Sequence, residues 1–398
     1  MSVALRVDGR VRLSGRGRRR LEGGHPWIFA DDLPEQEAAP GALVAIEDPA
    51  GAVIAHGLYS SKSKIRVRVI ARGAEAPAAD HWRKQVARAV AFRRSLGLLD
   101  PRGAVRLIAG DADGVPGMVV DHYAGVCVLQ SGFQGADSLR DELVEALIEQ
   151  LAPRAIVERS DSAVRHLEGL ERRVEVLRGE VTGELEVRED ELVYEVDVLG
   201  GHKTGHYLDQ RFNRQRAAQA CRGGEFLDAF CYDGLFGVRA ALQGAGSVLC
   251  MDQSVAALDR ARRNAERNGV LGRMRFEKVD VMRELKARTE LERAFDVVVV
   301  DPPAFAKNKS ELEGAERGYR ELNARALGLV RSSGLLVSAS CSYAMRAELF
   351  INTLAAAANQ ARREVVLEQL CGAAPDHPHL LSLPESNYLK CAFLRVRD

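Results

Sequence analysis

The sequence lacks any apolar run long enough to cross a membrane. Its longest runs, such as Ala294 to Val300, fall far short of the roughly 20 residues that a membrane-spanning helix needs. The first 20 residues carry seven Arg and no apolar segment behind them, which argues against a secretory signal. We therefore expect the chain to act in the cytoplasm.

The sequence also lacks the cysteine patterns of disulfide scaffolds and zinc sites. Its seven Cys are scattered, with no C-x-x-C pair and no His partners at zinc spacing. The 398 residues are 46% hydrophobic and 28% charged, which is the composition of an ordinary globular protein. We expect a reduced compartment, no metal site, and two or three domains.

There is no net charge of either sign, since 56 Lys and Arg balance 56 Asp and Glu. Taken alone, neutrality argues against a nucleic-acid partner. The charge is unevenly divided, however, because residues 1–94 hold 17 basic and 10 acidic side chains while residues 95–398 hold 39 and 46. The basic side chains of the first part cluster at two places: Arg16, Arg18, Arg19 and Arg20, and then Lys62, Lys64, Arg66 and Arg68.

The second basic cluster alternates with mostly apolar residues from position 62 to position 69. A period of two predicts a strand with its basic side chains on one face. Such a face either contacts an anionic partner or is simply solvated.

Three regions of the chain differ in pattern. Residues 1–72 predict short strands and a small β-barrel, and residues 73–183 predict an α+β unit with helices over 81–96 and 137–151. In residues 184–398 a hairpin is followed by short apolar strands alternating with helices, which is typical of a doubly wound, mostly parallel α/β sheet. We expect its strands at 225–228, 247–252, 274–279, 295–301 and 334–340, with an antiparallel edge from 364–369 and 388–396.

Acidic residues stand at the carboxyl ends of the first three expected parallel strands, where such sheets bind ligands. Asp228 opens a glycine-containing turn through Gly234, Asp252 follows 24 residues later, and Asp280 ends the third strand. A carboxylate at the second position can accept both hydroxyls of a ribose, as in NAD-binding and S-adenosylmethionine-binding folds. The turn lacks a full G-x-G-x-x-G, and acids that only cap helices are the structural alternative.

The next two strands are followed by residues that could take part in catalysis. Asp301-Pro302-Pro303 holds a carboxylate on a rigid backbone, with Phe305 nearby as a stacking face. Cys341 lies among hydroxyls at the end of the fifth strand, where a thiolate would reach the same cleft. A strand terminator and an inert packed cysteine are the structural alternatives, and Cys231 in the glycine turn is the rival thiol.

These motifs together resemble the bacterial 23S ribosomal RNA cytosine-5 methyltransferases that carry an N-terminal PUA domain. The resemblance rests on Asp301-Pro302-Pro303, Ser340-Cys341-Ser342, the segment from Gly201 to Arg211, and His25-Pro26-Trp27-Ile28-Phe29. It implies a PUA domain at 1–72, an RRM-like or ferredoxin-like domain at 73–183, and at 184–398 a class I S-adenosylmethionine-dependent methyltransferase domain with a Rossmann-like seven-stranded sheet. It also implies 23S ribosomal RNA as partner and a homodimer.

The resemblance assigns site residues as well. Cys341 and Asp301 would be catalytic. The cofactor S-adenosylmethionine would contact Thr204, Asp209, Arg211, Asp228, Phe230, Gly234, Asp252, Asp280, Asp301 and Pro302. The RNA would contact Arg16, Arg18, Arg19, Arg20, Lys62, Lys64, Phe305 and Lys307.

Two residues depart from the family's usual motifs. Ala304 stands where a Lys is common, and Lys307 or Lys309 could supply that charge from the same loop. His202 stands where a Gln is common. Neither change removes the nucleophile or the acid.

The implied reaction follows from the weak nucleophilicity of carbon 5 of cytosine. A Cys341 thiolate that adds to carbon 6 would activate carbon 5 for methylation, with Asp301 at N3 and an unassigned base removing the carbon 5 proton. Two alternatives stay open: a methyltransferase of the same fold acting on a guanine or adenine amino group, and a non-catalytic RNA-binding assembly factor.

Overall fold

The protein is described by a computed structural model that covers residues 4–34, 38–288, 294–306 and 309–398. The chain forms two compact units: Met1–Val187 with Val196–Leu208 and Pro375–Ser386, and Arg188–Glu195 with Asp209–Ala374 and Asn387–Asp398. None of the described helices is long and apolar enough to cross a membrane. The three-domain division with boundaries after residues 72 and 183 stays a prediction.

The first unit begins with a five-stranded sheet in the order β1-β3-β4-β5-β2. Its elements are β1 (Gly9–Arg12), α1 (Gly15–Glu22), β2 (Trp27–Phe29), β3 (Leu43–Glu47), β4 (Val53–Tyr59) and β5 (Ile65–Arg72). Val11, Ile28, Val44 and Val67 meet in its core. The helix α1 was not expected from the sequence; it begins at Ser14, whose hydroxyl accepts a hydrogen bond from the Gly17 N–H.

The predicted strand is β5, which begins at Ile65, so the prediction that all four basic residues share one strand face was wrong for Lys62 and Lys64. Lys62 and Lys64 lie in a bend before β5 and are exposed, whereas Arg66 and Arg68 lie within the strand and are half-buried. The hydroxyl of Ser60 accepts the Ser63 N–H at 3.1 Å, which bends the backbone ahead of the strand. Alternation alone could not detect this local hydrogen bond.

A second five-stranded sheet in the first unit has the order β10-β9-β8-β7-β6. Its elements are α2 (His81–Ser95), β6 (Ala104–Ala109), β7 (Met118–Tyr123), β8 (Val126–Ser131), α3 (Gln134–Ser138), α4 (Arg140–Leu151), β9 (Ala155–Ser160), α5 (Ala163–Leu167) and β10 (Arg173–Gly179). The single helix expected over 137–151 is instead two helices that meet at Leu139. Ser138 at the break donates its hydroxyl to the Gly135 carbonyl at 2.8 Å, a local bond that competes with regular helix.

A hairpin of β11 (Leu185–Glu189) and β12 (Leu192–Val196) precedes the sheet of the second unit, as expected. That sheet has seven strands in the order β15-β14-β13-β16-β17-β19-β18, and β19 runs in the direction opposite to the other six. Its strands are β13 (Glu225–Ala229), β14 (Ser247–Asp252), β15 (Met274–Lys278), β16 (Phe295–Val300), β17 (Val330–Ser340), β18 (Val365–Cys371) and β19 (Lys390–Val396). The doubly wound parallel fold with an antiparallel edge is thus confirmed.

Helices pack on both faces of this sheet. They are α6 (Arg211–Gln219), α7 (Leu235–Leu242), α8 (Val255–Arg267), α9 (Val281–Arg288), α10 (Leu312–Leu329) and α11 (Ala347–Ala361). The core contains Val298, Val300 and Leu336 from the strands, with Leu322 and Phe350 from α10 and α11. This core holds the carboxyl ends of β13, β14, β16 and β17 at one edge of the sheet.

Candidate active site

Three acids and one thiol lie at the carboxyl ends of four neighbouring strands of the seven-stranded sheet. Ala229 of β13 lies opposite Met251 of β14 and Val300 of β16, so Asp252 and Asp301 come one residue after the ends of the paired segments. Cys341 directly follows β17, which pairs in parallel with β16. The structure therefore brings Asp228, Asp252, Asp301 and Cys341 to one edge, as the sequence predicted.

The turn after β13 holds three left-handed backbone positions. Phe230, Tyr232 and Gly234 have φ of 62°, 53° and 76°. Gly234 adopts this conformation readily, whereas each of the two aromatic residues is strained by about 1–3 kcal/mol. The strained turn points its backbone N–H groups at neighbouring carboxylates, because Tyr232 N donates to Asp252 Oδ2 at 3.0 Å.

Asp228 is a buried acid at the end of β13. Its Oδ2 accepts the Gly237 N–H at 2.9 Å in the first turn of α7. Burial raises the pKa of Asp228 to about 7; the Gly237 hydrogen bond opposes this rise, and the nearby Asp301, Asp233 and Asp252 add to it. Asp228 thus caps α7, as expected if the acids serve only as helix caps. It also lies close to three other acidic side chains.

Asp252 is not a helix cap. Its Oδ2 accepts from Tyr232 N and its Oδ1 from Ser254 N at 2.8 Å, while Ser254 itself caps α8 through the Ala257 N–H. Asp280, by contrast, is exposed and accepts the Arg283 N–H at 3.0 Å, which is the bond of a cap of α9. The capping alternative accounts for Asp280 and leaves the position of Asp252 unexplained.

The acids at this edge suit a cationic ligand. Neither Asp228 nor Asp252 forms an ion pair with any residue that the structure describes. A sulfonium and an ammonium group would relieve the crowding of negative charge that raises the pKa of Asp228. The remaining lone pairs of Asp252 can accept ribose hydroxyls. These residues therefore fit S-adenosylmethionine.

Asp301 is held by a glutamine that the sequence analysis did not single out. Gln210 Nε2 donates to Asp301 Oδ2 at 3.0 Å, and Gln210 Oε1 accepts from Asn213 Nδ2 at 2.7 Å. Gln210 and Asn213 are both buried, and Pro302 is buried directly after Asp301. The carboxylate thus has a defined orientation.

Cys341 is half-buried, whereas its rival Cys231 is buried. Burial and the neighbouring Cys250 raise the pKa of the Cys231 thiol well above its usual value, so that thiol stays protonated and inert. Next to Cys341, the Ser342 hydroxyl lies 3.1 Å from the Tyr319 hydroxyl, and the Ser342 carbonyl accepts from Lys390 Nζ at 2.8 Å. Of the two thiols, Cys341 is the accessible one.

Two aromatic side chains, Phe305 after Asp301 and Tyr343 after Cys341, differ in exposure. Phe305 is half-buried, and its ring centroid lies 4.6 Å from that of Tyr319, which packs in the core. Tyr343 is 52% exposed, two residues after Cys341. Tyr343 is therefore the more exposed of the two rings, while Phe305 contributes to packing.

Three further predicted cofactor residues occupy different surroundings. The Thr204 hydroxyl, in the first unit, donates to Asp121 Oδ2 at 2.5 Å. Asp209 is buried and accepts the Tyr388 hydroxyl at 2.6 Å. Arg211 pairs with the buried Glu189 at 3.3 Å.

Glu189 is the centre of a buried ion cluster. Arg214 and Arg239 pair with it at 2.6 and 2.9 Å, in addition to Arg211. Burial alone would raise the pKa of Glu189, but the three guanidinium groups together lower it to about 2. Through this cluster Arg211 helps to hold α6 to the hairpin, and Arg239 does the same for α7.

Comparisons with known proteins identify two families along the chain. The S-adenosylmethionine-dependent methyltransferase family matches residues 120–380, and the PUA-like domain family matches residues 11–72. The chain is 40% identical over 372 residues to ribosomal RNA large subunit methyltransferase I of Photobacterium profundum, covering 92% of this chain and 94% of that protein. It is 38% identical over 393 residues to the protein of the same name from Shewanella frigidimarina, covering 97% and 99%.

The chain belongs to the ribosomal RNA large subunit methyltransferase I family. Its cofactor is S-adenosylmethionine. A solved structure of SMU.776, a methyltransferase complexed with SAH, is similar in fold, with a TM-score of 0.84, 19% identity, and coverage of 97% of this chain and 100% of that chain.

In this large subunit methyltransferase I family member, the arginines of α1 are mostly engaged within the PUA-like region. Arg16 and Arg20 both pair with the buried Asp32, at 2.8 and 3.0 Å, and Arg18 pairs with Glu22 and Asp48. Arg19 is exposed and forms no ion pair with a described residue. Of the four, Arg19 is the one whose charge is fully available to a ligand.

The second basic cluster divides in the same way. Arg68 pairs with Asp111 at 2.9 Å and stacks over Trp27, and Arg66 donates to the Ser60 carbonyl. Lys62 and Lys64 are exposed and pair with no carboxylate among the residues described. Lys307 lies outside the described residues.

Two site residues escaped the sequence analysis of this family member. Gln210 stands inside the segment from Gly201 to Arg211, but nothing in the local pattern connected it with Asp301. Lys390 stands within an otherwise apolar run of sequence from Leu389 to Phe393. A lysine within an otherwise apolar run was a usable signal, since a buried ammonium needs partners.

Proposed function

We propose that this chain methylates carbon 5 of a cytosine in the 23S ribosomal RNA of the large ribosomal subunit, with S-adenosylmethionine as the methyl donor and Cys341 as a covalent nucleophile. The observation that carries the proposal is the accessible Cys341 at the end of β17, beside the strand that ends in Asp301 and Pro302. A methyltransferase acting on an exocyclic amino group needs no thiol at this position.

The cofactor residues of the proposal are the acids and the strained turn at the ends of β13 and β14. Asp252 would accept the ribose hydroxyls, and Asp228, Phe230 and Gly234 would line the turn around the cationic part of the ligand. Asp280 would lie towards the adenine ring. When bound, S-adenosylmethionine supplies an electrophilic methyl group, which the activated carbon 5 takes as neutral S-adenosylhomocysteine leaves.

Cys341 performs the activating step. Its thiolate Sγ forms a bond to carbon 6 of the cytosine, and the electrons of the C5–C6 double bond shift towards N3. Asp301 holds the proton at N3 that balances this charge. Gln210 keeps the Asp301 carboxyl group oriented through its 3.0 Å hydrogen bond.

After methylation, the carbon 5 proton goes to a base and the C6–Sγ bond breaks, so that the electron pair returns to Cys341. The base must first leave its stack, at a cost of a few kcal/mol that is smallest for an unpaired nucleotide. The exposed ring of Tyr343, two residues from Cys341, would stack on the flipped base.

The choice of RNA rests on the relatives and on the PUA-like region. The proteins from Photobacterium profundum and Shewanella frigidimarina are named for methylation of large-subunit ribosomal RNA. Arg19, Lys62 and Lys64 in the PUA-like region offer free positive charge for phosphate contacts. The expected homodimer stays a prediction that sedimentation velocity tests.

Trapping tests the covalent mechanism. A 23S ribosomal RNA fragment that contains 5-fluorocytosine is incubated with the protein and S-adenosylmethionine, and the complex is resolved under denaturing conditions. We expect a covalent protein–RNA complex, because the fluorine at carbon 5 cannot leave as a proton does. Cys341→Ala removes the complex, and the matched control Cys371→Ala, at a half-buried thiol on β18, retains it.

The same RNA distinguishes the alternatives. Nucleoside mass spectrometry of unmodified RNA identifies 5-methylcytosine if the proposal holds. A methylated guanine or adenine amino group, or full activity of Cys341→Ala, would contradict it. Absence of any S-adenosylmethionine binding by calorimetry would favour a non-catalytic assembly role instead.

A further inference from the structure

Lys390 is a buried lysine beside the proposed nucleophile. It is the first residue of β19 and lies opposite Ser340, the last residue of β17. Cys341 directly follows Ser340 on that neighbouring strand. Lys390 is only 4% exposed. A lysine at such a position is unusual, because the interior disfavours an ammonium group.

The hydrogen bonds of Lys390 aim its ammonium at the Cys341 loop. Nζ donates to the Ser342 carbonyl at 2.8 Å and to the Tyr388 carbonyl at 2.7 Å. No carboxylate of a described residue pairs with it. Its two partners are therefore neutral, and the third N–H is left for an acceptor beyond these carbonyls.

A negative charge on Cys341 would act on this ammonium group. Burial lowers the pKa of Lys390 to about 8, and the charge of Cys341 opposes that fall. The two groups are thus close enough to affect each other's ionisation. A cation that helps a thiolate to form is itself held in its charged state by that thiolate.

The other titratable groups around Cys341 do not replace this cation. Tyr319 faces the loop from α10, and burial raises the pKa of its hydroxyl, which stays neutral and lies 3.1 Å from the Ser342 hydroxyl. Asp301 follows β16, the strand beside β17, and as an acid it cannot supply a positive charge to a thiolate. Lys390 brings a positive group to the Cys341 loop.

We propose that Lys390 is the positioning residue of Cys341: its ammonium stabilises the thiolate and ties the backbone of Ser342 in place, so that Sγ is reactive at neutral pH. This inference rests on the proposed function in one respect, namely that the Cys341 thiolate acts as the nucleophile in methylation. The thiolate itself is measurable without RNA or cofactor.

Alkylation of the full-length protein by iodoacetamide across pH 5–10, read peptide by peptide by mass spectrometry, tests the assignment. In the unchanged protein we expect Cys341 to react with a midpoint below the roughly 8.5 of an ordinary thiol. Lys390→Met keeps the length of the side chain and removes the charge, and we expect the midpoint to rise by about one pH unit or more. Cys371 in the same samples is the internal control, and its profile stays unchanged.

Lys390→Arg retains the charge and we expect it to restore most of the low midpoint. A purely structural lysine would change the melting temperature of both variants without moving the Cys341 midpoint. The inference is overturned if Cys341 titrates at or above 8.5 in the unchanged protein, a result that needs no variant to fold.

The outcomes separate this inference from the proposed function. An unmoved Cys341 midpoint in Lys390→Met removes the role of Lys390 and leaves the covalent mechanism intact. Full methylation by Cys341→Ala removes the covalent mechanism, whatever the alkylation profile. If the role of Lys390 and the covalent mechanism both hold, the acidic limb of the pH profile of kcat shifts to higher pH in Lys390→Met, together with the alkylation midpoint.

Discussion

Gln210 Nε2 donates a 3.0 Å hydrogen bond to Oδ2 of Asp301, although the two residues are 91 positions apart in the chain. Gln210 is itself fixed by Asn213, and both side chains are buried at the start of α6. A neutral donor orients the carboxyl group without supplying a positive charge. This hydrogen bond gives the Asp301 carboxyl group a defined orientation.

Loss of this bond should reduce the chemical step. For Gln210→Leu we expect kcat to fall about tenfold, corresponding to roughly 1.4 kcal/mol for one hydrogen bond that orients a catalytic group. The dissociation constant for S-adenosylmethionine should change little. Gln243→Leu on α7 is the matched control, since its side chain reaches only Glu191. A variant with unchanged kcat would show that Asp301 needs no orienting partner.

Asp252 should determine cofactor affinity. We expect Asp252→Ala to weaken S-adenosylmethionine binding by about 10- to 100-fold, because hydrogen bonds to a charged group are worth roughly 1.5–3 kcal/mol. Asp259→Ala, on the exposed side of α8, is the control and should bind normally. Isothermal titration calorimetry measures both. Affinities within twofold of each other would remove Asp252 from the cofactor site.

Asp228 should make the cofactor-free protein less stable at high pH. Its folded pKa of about 7 lies above the unfolded value near 3.9, so its contribution is complete below about pH 4 and is lost as pH rises through 7. Asp228→Asn keeps an acceptor for the Gly237 N–H and cannot ionise. We expect the variant's gain in free energy of unfolding to be roughly 2–3 kcal/mol larger at pH 8 than at pH 5.

Urea denaturation at the two pH values measures this difference. A gain that is equal at both would mean that Asp228 is ionised in the folded protein throughout this range. Asp259→Asn again serves as the control, because its exposed carboxylate pairs only at the surface.

Neighbouring arginines of α1 should have separable roles. Arg19→Ala should weaken binding to a 23S ribosomal RNA fragment several-fold and reduce the slope of log K against log salt by about one, with an unchanged melting temperature. Arg20→Ala should lower the melting temperature, because Arg20 pairs with buried Asp32 and stacks on Phe29 at 4.5 Å. Fluorescence anisotropy at several salt concentrations, with thermal melts, separates the two. Equal salt slopes for Arg19→Ala and the unchanged protein would exclude Arg19 from the RNA interface.

Much of the fold could be predicted because it follows local patterns. The five parallel strands of the second unit are short apolar runs between amphipathic helices, and each was found within a few residues of its true bounds except β17, which begins four residues early. The break at Leu139 and the bend before β5 could not be predicted in the same way. Each depends on a hydrogen bond between a serine hydroxyl and the backbone, and the spacing of apolar residues does not reveal such a bond.

The basic residues of the PUA-like region show the same limit at the level of function. Their sequence separation from the acidic remainder pointed to an RNA-binding end. Ion pairing then divides the set: Arg16, Arg20 and Arg68 have carboxylate partners, while Arg19, Lys62 and Lys64 are exposed and pair with no carboxylate of a described residue. Charge can be counted from composition, but its availability depends on which carboxylates the fold places beside it.

The sequence by itself determined which residues reach the site: Asp228, Asp252, Asp301 and Cys341 each lie at the carboxyl end of a strand, and parallel strands end at a common edge. Only the tertiary structure decided how those groups are oriented and charged. Gln210 reaches Asp301 across 91 positions, and Lys390 reaches the Cys341 loop across 48, from an antiparallel strand. Orientation and ionisation depend on burial and on partners distant in the chain, and the packed core alone brings these together.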